Sequence, residues 1–456
     1  MKRLLHVVRN RFVRDAATLQ LGAMLNATGN VVSSVVLAHL LGARLQGVFV
    51  VAFSLYALFF FMLNLGVVQA TVNQVAAASA RGHTDRVGDW LAFLAKVYIL
   101  LGLLLVGSGY YVLPLITEAW ARYGKSNLGV DPHQLGIWAW WLTLIPLIDM
   151  PRAVAVAAFQ GTRRMLALAQ IENGTELVRV FLVIVGAAVT ASPSGAIIGS
   201  VVAYGIGSVL ALDRYRRARF DGGHPLPAVR EIIADVRHVP LGEGVRLGVK
   251  VGILRNVDAL SMTILPPLII QTFGSSAWVA YFRIAQRIMN LPMMFMQGIS
   301  RTALPALSSL GGIRDIHRFR RTFTRVTLLG GTLIAGGVLL ALPLIPMVVG
   351  WFYPDDYLDP VWKLSVILAL GFVSAAFAVA LDSFYLVSNQ LRRGIQISLT
   401  GMFVSIPASA FLAYLYPRTG AAWGTVCSMA WGFVHYAYIF WYFQSGRYLR
   451  IAERTA

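Results

Sequence analysis

The feature that most constrains this chain is a succession of apolar stretches, each close to the length a helix needs to cross a bilayer. Bounded by charged or turn-forming residues, they fall at about 17–41, 46–76, 90–115, 136–160, 165–190 and 194–212, then at about 241–271, 276–307, 322–349, 361–387, 394–415 and 421–443. About 20 apolar residues cover the hydrocarbon layer as a helix, and only helices and closed barrels satisfy their backbone groups there. The pattern predicts an all-α polytopic membrane protein with 12 transmembrane helices. Composition agrees, since 57% of the 456 residues are hydrophobic and 13% charged, where soluble domains carry about 25% charge. A soluble enzyme, a disordered chain and a disulfide-stapled secreted domain are excluded. The single cysteine, Cys427, can form no intrachain disulfide. The first stretch exceeds the roughly 7–15 residues of a signal-peptide core and reads as an uncleaved span.

Charge sets the expected orientation. Lys and Arg outnumber Asp and Glu by 39 to 20. In a soluble protein that excess would suggest nucleic acid, but here it sorts by loop. Alternate connections, from the N-terminus through Arg81/Arg86, Arg163/Arg164, Arg214–Arg237, Arg314–Arg325 and Arg392/Arg393 to the tail, hold 25 of the 39 cations. The opposite side holds Arg44, Arg122, Lys125, Lys363 and Arg418. Basic loops stay on the cytoplasmic side, so both termini are expected there. The longest connection is basic and rich in Gly and Pro, and it lies at the midpoint. It divides the chain into an N-terminal six-helix lobe at 1–212, a cytoplasmic linker at 213–240 and a C-terminal six-helix lobe at 241–456.

The halves repeat. A shift of 232 residues places Leu41-Gly42, Gly47 and Phe49 on Phe273-Gly274, Val279 and Tyr281, and Asn64-Leu65-Gly66 on Met296-Gln297-Gly298. Gln160-Gly161-Thr162-Arg163-Arg164 resembles Asn389-Gln390-Leu391-Arg392-Arg393 at an equivalent helix end. Repeats with an even number of spans enter the membrane from the same side and are related by an axis along its normal, with the substrate path between them. The expectation is two pseudo-symmetric lobes around a central cavity.

These residues carry a family resemblance. The Leu41-Gly42 pattern, the helix ending in Asn64-Leu65-Gly66, Phe159-Gln160-Gly161 before a basic pair, and Arg255-Asn256-Val257-Asp258 running on through Gly274, Tyr281, Arg283, Pro292 and Pro305 resemble polysaccharide flippases of the multidrug/oligosaccharidyl-lipid/polysaccharide (MOP) exporter superfamily. Where family members often place an acid and a basic residue on span two, this chain has Asn64 and Asn73. The resemblance implies a non-enzymatic transporter in a bacterial cytoplasmic membrane. Its cargo would be an undecaprenyl-diphosphate-linked oligosaccharide, flipped from the inner to the outer leaflet by alternating access for surface polysaccharide export. Other polysaccharide-export membrane proteins would be partners.

Ionisable residues at membrane depth mark candidate sites, because they are costly in hydrocarbon. On span eight, Arg283, Arg287, Asn290, Met294, Gln297 and Arg301 share a sector of about 80°, with Pro292 opposite. Either this stripe pairs with carboxylates of neighbouring spans, or it lines a wet cavity suited to phosphate, which guanidinium groups bind through paired donors. Span seven adds Lys250 and Arg255, with Asp258 on the face of Arg255. Asp149 and Arg152 on span four lie at a depth similar to Glu172, Glu176 and Arg179 on span five. They form either an inter-helix ion-pair network or a proton- or sodium-coupling site built on Glu172, Glu176, Asp149 or Asp258. Arg152 and Arg179 are the expected ion-pair partners. Span one presents Gly22, Asn26, Asn30 and Ser33, a stripe suited to close packing or to sugar hydroxyls.

No cofactor or metal is expected. Gly124-Lys125-Ser126 lacks the earlier glycine of a phosphate-binding loop, position 119 being Ala119, so ATP is not implied. The histidines show no metal spacing and no nucleophile elbow occurs. Two other readings stand beside the flippase: a cation-coupled multidrug exporter of the same superfamily, which calls for an acid-dominated cavity, and a membrane polysaccharide polymerase or ligase, which calls for a long outer loop that is missing.

Overall fold

A computed structural model describes residues 11–63, 66–123, 128–220, 225–242, 244–246, 248–249, 259–311, 316–388 and 390–444. Among the described residues the chain is helical and has no β-strand. Eight helical stretches among them are long and apolar enough to cross a bilayer: Gly22–Phe61, Thr84–Arg122, Pro132–Gly161, Met165–Thr190, Pro193–Ala218, His317–Phe352, Asp355–Tyr385 and Leu391–Leu415. The other expected spans differ for identifiable reasons. The first two meet at a non-helical kink at Gly42 and fall within one continuous apolar stretch, the seventh is interrupted by residues outside the described ones, the eighth carries the arginine stripe, and the last is interrupted at Trp431.

The exterior confirms that this is a multi-pass membrane protein. Val209 is 69% exposed and Leu340 75%, and many other large apolar side chains lie open. In water such a surface would aggregate. In lipid it is solvated.

The chain divides into two compact units, the first reaching residue 256 and the second beginning at 257. In the first, α1 (Arg11–Leu63) bends at Gly42, whose φ of 66° and ψ of 172° suit glycine. α2 (Val67–Ala80) follows Gly66 at φ 73°. The glycines of the Leu-Gly motifs therefore act as breaks, and the second expected span is split. α3 (Thr84–Tyr123), α4 (Pro132–Leu142) and α5 (Ile145–Gly161) precede a tight hairpin of α6 (Met165–Thr190) and α7 (Pro193–Ala218). The hairpin closes to backbone contact, since a Cβ on Gly199 would lie 2.2 Å from the Leu182 carbonyl oxygen. Interhelical hydrogen bonds and small residues replace the hydrophobic effect as the glue in lipid.

The stretch expected as a linker is packed. The short helix α8 (Val229–Asp235) lies against α3, and Leu226 and Ile232 join a core of Leu91, Phe93, Phe159 and Tyr215. Tyr215 donates to the Pro227 carbonyl at 3.0 Å, and Lys96 donates to Val239 O at 2.9 Å. Arg164, from the basic pair after Gly161, donates to the carbonyls of Ala218 and Arg219. A cation there satisfies carbonyls that the end of a helix leaves unpaired. The midpoint connection thus belongs to the first unit, and the break between units falls at 256/257.

In the second unit, a π-helical turn at Leu260–Ile264 leads into α9 (Leu265–Phe273) and α10 (Ser276–Gly311). α11 (Ile316–Ala341), α12 (Ile345–Phe352), α13 (Leu358–Ala376), α14 (Leu381–Val387), α15 (Leu391–Leu415), α16 (Gly420–Ala430) and α17 (Gly432–Gln444) complete it. Its core is aromatic, with Phe384 packed edge-on to Tyr385, Tyr442 and Phe443.

Candidate functional site

Each unit holds its own set of charged side chains at membrane depth. In the first unit, the ion pairs close within helices. On α5, Arg152 donates from Nε to Asp149 Oδ1 at 2.5 Å and from Nη2 to Oδ2 at 2.7 Å. On α6, Arg179 donates from Nε to Glu176 Oε2 at 2.8 Å and from Nη2 to Oε1 at 2.5 Å. The i,i+3 spacing puts both members of each pair on one face, and the fork of a guanidinium matches the two carboxylate oxygens.

The link between helices is an amide. Asn30 on α1 donates from Nδ2 to Glu176 Oε1 at 2.8 Å and accepts from Arg179 Nη2 at 2.9 Å. The small residues of the same face explain how α1 gets close enough. A Cβ on Gly22 would lie 2.8 Å from Asn173 Nδ2 on α6, and one on Gly29 would lie 3.3 Å from Val180 Cγ2. The Gly22, Asn26, Asn30, Ser33 stripe is a packing seam with a hydrogen-bonding amide inside it. The Asn26 carbonyl oxygen accepts from Asn30 Nδ2 at 2.8 Å, while its side-chain Oδ1 is buried without a hydrogen-bond partner among the described residues.

Tyrosines surround these pairs. The Arg152 guanidinium lies 5.5 Å from the ring centre of Tyr204 on α7, within cation–π range. Tyr204 also lies in the field of Arg179, Asp149 and Glu176, and Tyr56 and Tyr98 lie in that of Asp149 and Arg152. Glu172 stands apart from the other acids. It has no ion pair or hydrogen bond among the described residues, and Arg152 is the cation whose field reaches it. Three carboxylates (Asp149, Glu172, Glu176) therefore face two guanidinium groups (Arg152, Arg179), and this set carries no cationic surplus.

The second unit differs. Arg283 on α10 donates from Nη1 to Gln286 Oε1 at 2.7 Å and makes a longer contact of 3.5 Å with the Thr263 carbonyl. Gln286 donates in turn to the Met262 carbonyl at 2.7 Å. A π-helical turn displaces carbonyls from the ordinary helical ladder, and these two side chains reach the carbonyls exposed there. Ser428 on α16 donates to Ser261 of the same turn at 3.1 Å. Arg283 is thus held by neutral oxygens and has no carboxylate partner among the described residues. Arg287, one turn on, is partly buried and near enough for the two positive charges to interact, and Asn290 is exposed.

The remaining expected positions are not described in the same detail. Lys250, Arg255 and Asp258 lie outside the described residues, and Gln297 and Arg301 lie on α10 with side chains outside them. The geometry adds three groups that the pattern of charges did not single out: Gln286, Tyr204 and the π-helical turn. A glutamine three residues after an arginine, and a tyrosine at mid-span away from the interface belts, were the available signals for the first two.

No family model matches the sequence. The chain is 26% identical over 192 residues to the "Probable flippase AglR" of Haloferax volcanii, a match that covers 40% of this chain and 38% of that relative. The chain thus matches well under half of that relative's length. Over nearly its whole length it superposes on an inward-facing multidrug resistance MATE family transporter of the MOP superfamily, with a TM-score of 0.69, 14% identity and coverage of 97% of this chain and 100% of that one. The chain has the MOP transporter fold. A second MOP fold, that of the lipid II flippase MurJ in an inward closed conformation, matches with a TM-score of 0.69 and 13% identity over 91% of this chain and 85% of that one. The proteins matched are transporters and flippases rather than enzymes, and the resemblance to MOP exporters read from Gly42, Gly161 and the Arg283 region extends to the whole fold.

Proposed function

We propose that this MOP-fold protein flips a polyprenyl-diphosphate-linked glycan from the inner to the outer leaflet of a bacterial cytoplasmic membrane by alternating access, for surface polysaccharide export. The single observation that carries this reading is Arg283, a cation on α10 held by Gln286 and a backbone carbonyl, with no acidic partner among the described residues. Such a group keeps paired donors for an anion. A diphosphate bearing sugars supplies one, whereas a cationic drug would be repelled. The partial relative, named a probable flippase, supports flipping as the activity. Arg283 and Arg287 would contact the diphosphate, with Arg255, Lys250 and Arg301 adding to the positive field. Asn290 and Gln297 would meet sugar hydroxyls, whereas Asn30, expected beside Asn26 to do so, is committed to Glu176 and Arg179 in the packing seam. The expected result of depleting the protein is accumulation of undecaprenyl-linked glycan in the inner leaflet, measured by leaflet-selective labelling. An unchanged leaflet distribution would refute the flippase.

The multidrug exporter reading is favoured by two observations, the acid excess in the Asp149–Glu172–Glu176 set and the likeness to a MATE transporter. The flippase reading accommodates that excess as a coupling site for H+ or Na+. Asp149 and Glu176 are each held by an arginine fork, so Glu172 is the carboxylate best able to exchange a cation. Glu172→Gln is expected to uncouple transport from the ion gradient without loss of fold. In proteoliposomes, gradient-driven flipping should fall about 100-fold or more, the scale of one essential proton-transfer group. Asp149→Asn is expected to lower the thermal stability as well, because it leaves Arg152 without its fork partner. Equal gradient dependence in Glu172→Gln and wild type would remove Glu172 from the coupling role.

A further inference from the structure

The outer face of the α5/α7 pair carries a feature that the transport reading does not use. An open groove of about 470 Å³ runs beside α7, lined by Ile148 of α5 and by Val202, Gly205, Ile206, Val209 and Leu210. Its lining is entirely apolar. Gly205 is part of the lining, and a Cβ there would meet Ile148 Cγ2 at an ordinary 3.5 Å. A side chain well beyond a methyl group at position 205 would therefore occupy the groove.

Helical register carries this face into a cluster of charge. At 100° per residue, Val202, Ile206 and Val209 share one side of α7 with Asp213, Arg216 and Arg217. Arg217 is held by Asp213 at 3.0 Å, while Arg216 is exposed and has no acidic partner among the described residues. Arg214, one turn beyond Leu210, has its Nε buried without a hydrogen-bond partner among the described residues. Three arginines less one aspartate leave two net positive charges at this end of the groove. The helical rise of about 1.5 Å per residue puts Ile206 some 16 Å from Arg217, about half of a 30 Å hydrocarbon layer. That is the separation of an acyl chain's far end from its headgroup.

We infer that this groove is a binding site for one anionic phospholipid, with an acyl chain over Gly205 and the phosphate at Arg216 and Arg217. A zwitterionic headgroup would bring its own cation to the arginines. A second copy of this chain would bring a second set of arginines against the first. An anionic lipid satisfies both ends of the site together, independently of what the protein transports.

Native mass spectrometry of the full chain in detergent tests this, with phosphatidylglycerol or phosphatidylcholine added. Wild type is expected to retain one phosphatidylglycerol with about tenfold preference over phosphatidylcholine, as charge-assisted phosphate contacts allow. Gly205→Phe, which fills the trough, and the Arg216→Gln/Arg217→Gln pair are each expected to cut occupancy by about tenfold, with unfolding temperature in lipid-free detergent unchanged. Val209→Gln places a polar group in the groove from an exposed position and repeats the test should Gly205→Phe fail to fold. Equal retention of the two lipids, or unaltered occupancy in both groove variants, would overturn the site. So would displacement of phosphatidylglycerol by undecaprenyl phosphate, which would give the groove to a polyprenyl chain, or a dimer dissolved by Gly205→Phe, which would give it to a second copy.

Discussion

The Arg283→Ala/Arg287→Ala double variant is expected to insert normally into the membrane and to lose glycan export. Hydrogen bonds to charged groups contribute about 1.5–3 kcal/mol each, so removing two guanidinium groups from an anion site should weaken cargo binding by about 100-fold or more. Leaflet-selective labelling of the lipid-linked glycan reads the loss, and membrane fractionation reads insertion. Arg283 also contacts Gln286 and the carbonyl of Thr263, so alanine could act by loosening the π-helical turn. Arg283→Gln separates the two effects, because an amide can still donate to those oxygens but carries no charge. Lost export in both Arg283→Gln and the double variant supports the anion site. Full export in Arg283→Gln would mean that Arg283 only latches the turn. Normal export in the double variant would remove the anion from the mechanism altogether.

The second large effect concerns the Glu176–Arg179–Asn30 network. Arg179→Leu is expected to cost about 3–5 kcal/mol of stability, since removing one partner strands an uncompensated buried charge. Replacing both, as Glu176→Leu/Arg179→Leu, is expected to recover most of that loss, because well-packed apolar groups often replace a buried ion pair at little cost. Thermal unfolding in detergent gives the stability, and flipping in proteoliposomes gives the function. If the network is purely architectural, the double variant flips at the wild-type rate. If stability returns and flipping does not, the pair belongs to the coupling machinery beside Glu172. Equal damage from the single and double variants would show that the two side chains do not stabilise each other.

Much of this was legible in residue spacing. The i,i+3 intervals from Asp149 to Arg152 and from Glu176 to Arg179 already place each pair on one helix face, although the depth match between spans suggested that the bonds would cross between helices. They close instead within α5 and α6, because an i,i+3 Asp–Arg or Glu–Arg pair can form its fork without any tertiary movement. Asn30 supplies the crossing, through a seam that Gly22 and Gly29 keep open. The acids engage Arg152 and Arg179, and Arg283 on α10 has no acidic partner among the described residues. The breaks at Gly42 and Gly66 were visible as Leu-Gly motifs but not as kinks. The π-helical turn at Leu260–Ile264 left no trace in the apolar pattern, because its carbonyls are met by side chains about twenty positions away.

By itself, then, the sequence determined that this chain is a bundle of membrane helices and that its ionisable residues inside that bundle are few. Both depend on local quantities: the length of each apolar run, and the cost of exposing a peptide group or a charge to hydrocarbon. Tertiary structure alone decided what those charges meet beyond their own helix. That choice depends on which helices approach within hydrogen-bonding distance, and a glycine seam, a displaced carbonyl or an amide on another helix sets it without altering hydropathy. It is why Arg179 also reaches Asn30 on α1 and Arg283 reaches the Thr263 carbonyl of the π-helical turn, contacts that the local choice of Glu176 or Gln286 three positions away does not announce.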